Sequence, residues 1–172
     1  MTPVFIGFLF VFLNCEIPLG NGSLNLMPAV IGYVFLLVWA MRTGDGSARF
    51  LRIRLLSLLL GLLSVAHTLI LALAVPLTGI APLLLGGTST VGALYVAYEV
   101  VAHVKETEKR IGRPLGGGDL HSAWFLLAMG NLLSLFVTYM ESMALLCMAL
   151  QLLSIAWFSA AIFRSGRKMA GK

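Results

Sequence analysis

The sequence predicts an all-α fold, a polytopic bundle of transmembrane helices that forms a single integral membrane domain over residues 1–172. Of these residues 59% are hydrophobic and only 11% are charged, and the mean hydropathy is +0.97. Such a composition is far too apolar for a soluble domain of this size. The Lys and Arg residues lie in three short clusters beside apolar runs, a distribution typical of membrane topology.

We predict six spans, because a helix needs roughly 17 to 25 apolar residues to cross about 30 Å of hydrocarbon. The approximate spans are 2–18, 24–41, 55–75, 83–104, 120–140 and 144–163. The first is the weakest, since the apolar run Pro3 to Leu13 is short and must recruit residues as far as Pro18. The alternative is five spans plus an N-terminal re-entrant helix.

The second and third spans are bounded by turn signals and charge. Asn25 is the predicted N-terminal cap of the second span, and Pro28 lies in its first turns, where a missing N–H is tolerated. The segment Arg42 to Arg54 is predicted to be a basic connection. The third span follows it and is closed by Pro76.

The fourth span is expected to continue as a helix into water to about Arg110, before Arg113-Pro114 and three consecutive glycines break it. The glycines 116–118 are interpreted as a flexible hinge. Asp119 then caps the fifth span, and a basic tail from Arg164 to Lys172 follows the sixth.

The charges predict the orientation of these spans. With six spans and the N-terminus inside, all twelve Lys and Arg residues fall on the cytoplasmic side, as Lys and Arg do in membrane proteins. Both termini are therefore predicted to be cytoplasmic. The expected counter-charge is a lipid bilayer with anionic headgroups, with no role for nucleic acid.

Polar residues inside the spans predict a candidate polar intramembrane site. Tyr95, Glu99 and His103 recur every four residues on one side of the fourth span. Ionisable side chains are expensive in hydrocarbon, so Glu99 is a functional hypothesis. Asn131 of the fifth span and Gln151 of the sixth complete the set. Hydrogen bonding between packed helices is the commoner explanation for such residues, and the sequence leaves both readings open.

No metal, cofactor or catalytic set is predicted. The three histidines lack the spacing of a metal-binding motif. No serine has the setting of a nucleophile turn. We therefore expect a protein that is not an enzyme.

The segment Asn21 to Tyr33 carries a resemblance. Its Asn-Gly break followed by Leu-x-Leu-Met-Pro-x-x-x-Gly-Tyr resembles the opening of small uncharacterised multi-pass membrane proteins found mainly in Firmicutes. The similarity covers about 30 of 172 residues, and Ala29 stands where that family often has an acidic residue. The resemblance implies a multi-pass protein of the bacterial plasma membrane, and it implies no activity.

Two functions stay open. The first is a non-enzymatic accessory or regulatory helix bundle, whose cytoplasmic basic loops dock a membrane-protein partner or a second copy of the chain. The alternative is a small solute-binding or transport protein, similar in size to the substrate-binding subunits of energy-coupling-factor transporters. The small-xxx-small alanine pattern expected in the first helix of those subunits is missing from Pro3 to Leu13. A polar cavity between the helices would favour the alternative.

Overall fold

The computed structural model describes residues 1–13, 16–19, 22–25, 29–43, 47–73, 79–135 and 144–169. Within these ranges the chain forms six helices and one two-stranded hairpin. The helices are α1 (Thr2–Phe12), α2 (Ala29–Thr43), α3 (Ala48–Ala72), α4 (Ala81–Ile111), α5 (Gly117–Ser134) and α6 (Ala144–Met169), and the strands are β1 (Glu16–Leu19) and β2 (Gly22–Asn25). The all-helical prediction therefore holds for the body of the described chain, with the hairpin as an addition.

The six helices form a closed ring. Each helix packs against the next one along the chain, and α6 packs against α1. Apolar side chains from all six helices fill the ring, among them Phe8, Tyr33, Ile53, Val96, Leu127 and Phe158, each at most 2% exposed. The two ends of the chain are consequently neighbours, and a Cβ added to Gly166 would lie 2.5 Å from the Cβ of Met1.

The basic residues gather at one end of the ring, which we call the basic end. Here α2, α4 and α6 end, and α1, α3 and α5 begin. Arg54 of α3 donates two hydrogen bonds, of 2.9 and 3.2 Å, to the carbonyl oxygen of Ala40 on α2. The N–H of Gly117 on α5 donates to Glu108 on α4 at 2.8 Å. Eleven of the twelve Lys and Arg residues lie within about two turns of these helix ends, and the twelfth, Lys172, is outside the described residues.

Within the described ranges, three helices are long and apolar enough to cross a membrane, namely Ala48–Ile70, Leu83–Ile111 and Leu145–Met169. Their outward faces carry large apolar side chains, such as Leu59 at 59% and Leu153 at 68% exposure. The apolar helices α1 and α2 have only 11 and 15 residues, which corresponds to about 17 and 23 Å at 1.5 Å per residue.

The helix predicted over residues 2–18 is wrong beyond Phe12. Glu16 to Leu19 form a strand that pairs antiparallel with Gly22 to Asn25, with Leu19 opposite Gly22. The sequence carried a signal for this hairpin, because Gly20-Asn21 is a two-residue pair typical of tight hairpin connections. Asn25 is the last residue of β2, and residues 26–28, which include Pro28, lie outside the described residues, so the role of Asn25 as the cap of the second helix stays a prediction.

Two predicted connections are helical instead. The helix α3 begins at Ala48, seven residues before the predicted span, so Arg49, Arg52 and Arg54 lie on its first two turns. The glycines 116–118 are not a hinge. Gly116 is the N-cap of α5 with φ 88°, a left-handed conformation that favours glycine, and the next two glycines belong to the helix. Asp119 is accordingly in the first turn rather than at the cap.

The other boundaries follow the prediction more closely. The helix α4 ends at Ile111, next to the expected Arg110, while α6 continues to Met169 and carries Arg164, Arg167 and Lys168 on its last turns. The predicted end of the fifth span, residues 136–140, lies outside the described residues.

Candidate functional site

The five predicted site residues fall into two separate groups. Glu99 and Tyr95 join an ionic cluster that lies towards the basic end, and His103 lies one turn further along α4. Asn131 and Gln151 instead line a cavity in the opposite half of the ring. The prediction of one site formed by all five residues is therefore wrong, and each group has its own chemistry.

The ionic cluster is built around Glu99, which is 3% exposed. Its carboxylate accepts hydrogen bonds from Arg49 Nε at 3.1 Å, Arg52 Nε at 2.9 Å and the Tyr95 hydroxyl at 3.0 Å. Arg49 also pairs with Glu106, which lies about two helical turns beyond Glu99 on α4. The two guanidinium groups compensate the negative charge of the buried carboxylate. These contacts link the start of α3 to α4.

His103 contributes to the same junction through its ring. The imidazole packs edge-on against Phe50, with ring centroids 4.9 Å apart, and against Trp39 at 6.1 Å. Since Trp39 belongs to α2 and Phe50 to α3, the ring of His103 joins three helices. His103 therefore forms an aromatic packing contact at the basic end and does not line the cavity that Asn131 lines.

The cavity lies at the centre of the ring and has a volume of about 210 Å³. Side chains from all six helices line it, from the C-terminal turn of α1 to the start of α6. These residues come from the ends of α1, α3 and α5 and from the starts of α2, α4 and α6, so the cavity lies in the half of the ring away from the basic end. A cavity of this volume is large enough to hold several water molecules.

Polar but uncharged side chains dominate the lining. Six of them carry hydroxyls, two carry amides and one carries an imidazole: Tyr33, Ser64, Thr68, Ser89, Thr90, Ser134, Asn131, Gln151 and His67. The apolar part of the wall includes Phe12, Leu63 and Leu85. No Asp, Glu, Lys or Arg is among the described residues that line it, so the cavity offers hydrogen bonds without a fixed charge.

Part of this hydrogen-bonding capacity is used within the wall. Asn131, which is 6% exposed, donates to the carbonyl of Leu127 at 2.9 Å and accepts from Gln151 Nε2 at 3.4 Å. The Oε1 atom of Gln151 and the ring of His67 form no hydrogen bond with another described residue. The wall therefore retains both acceptor and donor groups for a molecule in the cavity.

The two faces of α4 explain why the five predicted site residues fall into two groups. The prediction gave weight to the face of α4 that carries Tyr95 and Glu99, whereas the cavity is lined by the face that carries Ser89 and Ala93. Ser89 and Ala93 are small residues of the kind that mark close helix packing in membranes. The sequence signal for the cavity is the recurrence of hydroxyl groups near the ends of several spans, which the closed ring brings together.

No metal centre is apparent in the described part of the chain. It contains no group of three or more His, Cys, Asp or Glu residues placed to hold a metal ion. Cys147 is a free thiol of intermediate exposure. The described residues that could contact a ligand are thus those of the cavity and of the basic end.

Comparison with protein-family models, curated proteins and solved structures gives no match to this chain. The resemblance of Asn21 to Tyr33 to a Firmicutes membrane-protein family therefore stays a prediction. The fold and the site define the chain as a ring of apolar helices around a small polar cavity, with three helices able to cross a membrane.

Proposed function

We propose that the chain is a multi-pass protein of the bacterial plasma membrane that binds a small, uncharged polar solute in the central cavity and serves in its transport. The observation that carries this proposal is a cavity of about 210 Å³ to which all six helices contribute and which is lined by nine polar, mostly neutral side chains. Concave sites with a few convergent polar groups are the usual form of small-molecule sites.

The chemistry of the wall supports an uncharged solute. A charged group in a low-dielectric cavity needs an opposite charge or several hydrogen bonds to replace its hydration. The described lining supplies neutral donors and acceptors, including the amides of Asn131 and Gln151 and the imidazole of His67. Its volume is below the range of about 300–1,000 Å³ typical of drug-sized ligands, which favours a small solute.

The orientation we propose places the basic end in the cytoplasm, with six spans and both termini inside. Lys and Arg concentrate on the cytoplasmic side of membrane proteins, and the chain carries eleven of its twelve basic residues at that end. The cavity then faces the outside. Between it and the cytoplasm, α4 packs Val96, Val100 and Val104 with no exposed surface, and the Glu99 cluster joins α3 to α4.

The accessory or regulatory reading stays a second candidate, supported by one feature of the basic end. The C-terminal end of α4 exposes Lys109, Arg110 and Arg113, which would suit docking to an acidic surface of a membrane-protein partner or another copy. A partner that co-purifies with the native chain and is lost when these three residues are changed to Gln would support this candidate. A chain that purifies alone with and without the changes would count against it.

The transport proposal is tested with pairs of solutes that differ in charge but little in shape. The purified chain in detergent is heated with nicotinamide or nicotinate, and with ribose or ribose 5-phosphate, each over a concentration series. We expect the unfolding temperature to rise with at least one neutral member and to stay unchanged with its charged counterpart. At a hundred times the Kd the stabilisation is about 2.7 kcal/mol. Equal shifts with both members of a pair, or larger shifts with the charged ones, would contradict the proposal.

A further inference from the structure

A second concave surface lies at the basic end, between the start of α5 and the last turns of α6. This α5–α6 groove has a volume of about 420 Å³. On α6 its wall consists of residues spaced three or four apart along one face: Trp157, Ala161, Arg164, Ser165 and Lys168. Leu115, Gly116, Asp119 and Ser122 form the facing wall. The groove is separate from the central cavity and shares no lining residue with it.

Several donors without a protein partner point into or border this groove. Neither Arg164 nor Lys168 has a carboxylate within ion-pairing distance among the described residues. The Ser165 side chain is buried at 2% exposure, lines the groove and has no hydrogen-bond partner in the described part of the chain. Its oxygen is not one of the fully buried polar atoms that lack a partner among the described residues, so it is accessible from the groove and can donate a hydrogen bond to a ligand there.

The N-terminus of α5 adds further donors on the facing wall. Its cap, Gly116, makes no side-chain capping bond, and a Cβ there would lie 3.5 Å from Lys168 Nζ and 3.6 Å from Ser165 Oγ. Within the described part of the chain, Glu108 accepts one hydrogen bond, from the N–H of Gly117. The next two N–H groups, of Gly118 and Asp119, bond no described acceptor. Free N–H groups at a helix N-terminus favour an anion such as a phosphate.

The groove also has an apolar part and one negative charge. Trp157 lies seven residues before Arg164 on α6, which is about 10 Å along the helix, and its side chain is 48% exposed. Tryptophan is enriched where hydrocarbon meets headgroups. Asp119 places a carboxylate at the rim, where it forms no ion pair with another described residue. A phospholipid has a phosphate directly beside its acyl chains, and some headgroups carry an ammonium group a few ångströms further out.

We propose that the α5–α6 groove binds the headgroup of an amine-bearing phospholipid from the leaflet at the basic end. Arg164, Lys168 and the hydroxyl of Ser165 contact the phosphate, the free N–H groups of α5 add to this contact, and Asp119 contacts the ammonium group. Trp157 and Ala161 lie beside the upper acyl chain. This site is more selective than the attraction of scattered basic residues for anionic lipid.

The test measures which lipid stays on the purified full-length chain. The chain is delipidated in detergent, incubated with an equimolar mixture of phosphatidylethanolamine and phosphatidylglycerol, and analysed by native mass spectrometry. We expect one phosphatidylethanolamine to be retained in preference to phosphatidylglycerol. The double change R164Q/K168Q is expected to reduce retention at least tenfold, and D119N to remove the preference for the amine headgroup. R167Q is the matched control, because Arg167 is an exposed neighbour on the same turn that does not line the groove.

Three results would overturn the proposal. The first is an equal loss of lipid in R167Q and in R164Q/K168Q, which would indicate general attraction by the basic end. The second is preferential retention of phosphatidylglycerol. The third is release of the lipid by millimolar inorganic phosphate, which would identify free phosphate as the occupant. The substituted side chains lie at the surface, and an unfolding temperature within about 2 °C of the native value verifies that each variant is folded.

Discussion

Changing Glu99 to Gln removes the negative charge that Arg49 and Arg52 share, while it keeps the size of the side chain. Removal of one partner from a buried ion pair costs about 3–5 kcal/mol. The side chains of Arg49 and Arg52 are 26% and 51% exposed, so their hydration offsets part of this cost. We therefore expect a loss of about 2–3 kcal/mol in the free energy of unfolding. In a chain of this length each kcal/mol corresponds to about 2–4 °C in Tm, which gives a decrease of about 4–12 °C.

The assay is thermal unfolding in detergent, followed by tryptophan fluorescence at one fixed heating rate. The matched control is Glu106→Gln, because Glu106 pairs with the same Arg49 but its side chain is 69% exposed. An exposed pair contributes at most about 1 kcal/mol, so the control should lose no more than about 4 °C. A direct interaction between Arg52 and Glu99 also predicts non-additive effects. The double variant Arg52→Gln/Glu99→Gln should then lower the Tm by less than the sum of the decreases in the two single variants. Equal effects of Glu99→Gln and Glu106→Gln would refute this reasoning.

Two further predictions concern packing and topology. Gly32→Ala should destabilise the chain by about 1–3 kcal/mol, because its Cβ would meet the backbone of α1, at 3.0 Å from Val11 N and closer still to Gly7 O. The control is Gly87→Ala, whose Cβ meets no atom within 4 Å and which should stabilise the chain by up to about 1 kcal/mol. Thermal unfolding compares the two variants. A cysteine placed before Thr2, in a chain with Cys15 and Cys147 changed to Ser, should react with a membrane-impermeant maleimide only after the cells are opened; labelling in intact cells would contradict the proposed orientation.

The sequence predicted the elements that depend on local composition. Long apolar runs predicted α3, α4 and α6, and the break at Arg113-Pro114 predicted the end of α4 to within one residue, at Ile111. The prediction was wrong where contacts with another helix determine the local structure. The arginines at 49 and 52 were assigned to a connection because charge usually marks one, yet they are helical because Glu99 on α4 lies opposite them.

The candidate site was predictable only in part, for a related reason. Asn131 and Gln151 were chosen as polar residues within apolar spans, and both line the cavity. Which face of α4 joins them depends on the rotation of that helix in the ring. The ion pairs of Arg49 and Arg52 with Glu99 turn this face of α4 towards α3. Ser89 and Thr90 therefore face the cavity instead. Spacing along one helix does not determine that rotation, because both faces of α4 carry small or polar residues.

The measurement that tests the proposed solute site most directly is the affinity of two adjacent glycine variants for the neutral solute that the paired screen selects. A Cβ at Gly86 or Gly87 meets no atom within 4 Å, but only Gly86 lines the cavity. Both Gly→Leu changes should raise helix propensity by a similar amount. With equilibrium dialysis, Gly86→Leu is expected to raise the Kd at least tenfold, about 1.4 kcal/mol, and Gly87→Leu to leave it within twofold. Native affinity in Gly86→Leu, or equal losses in both variants, would contradict a solute site in the central cavity.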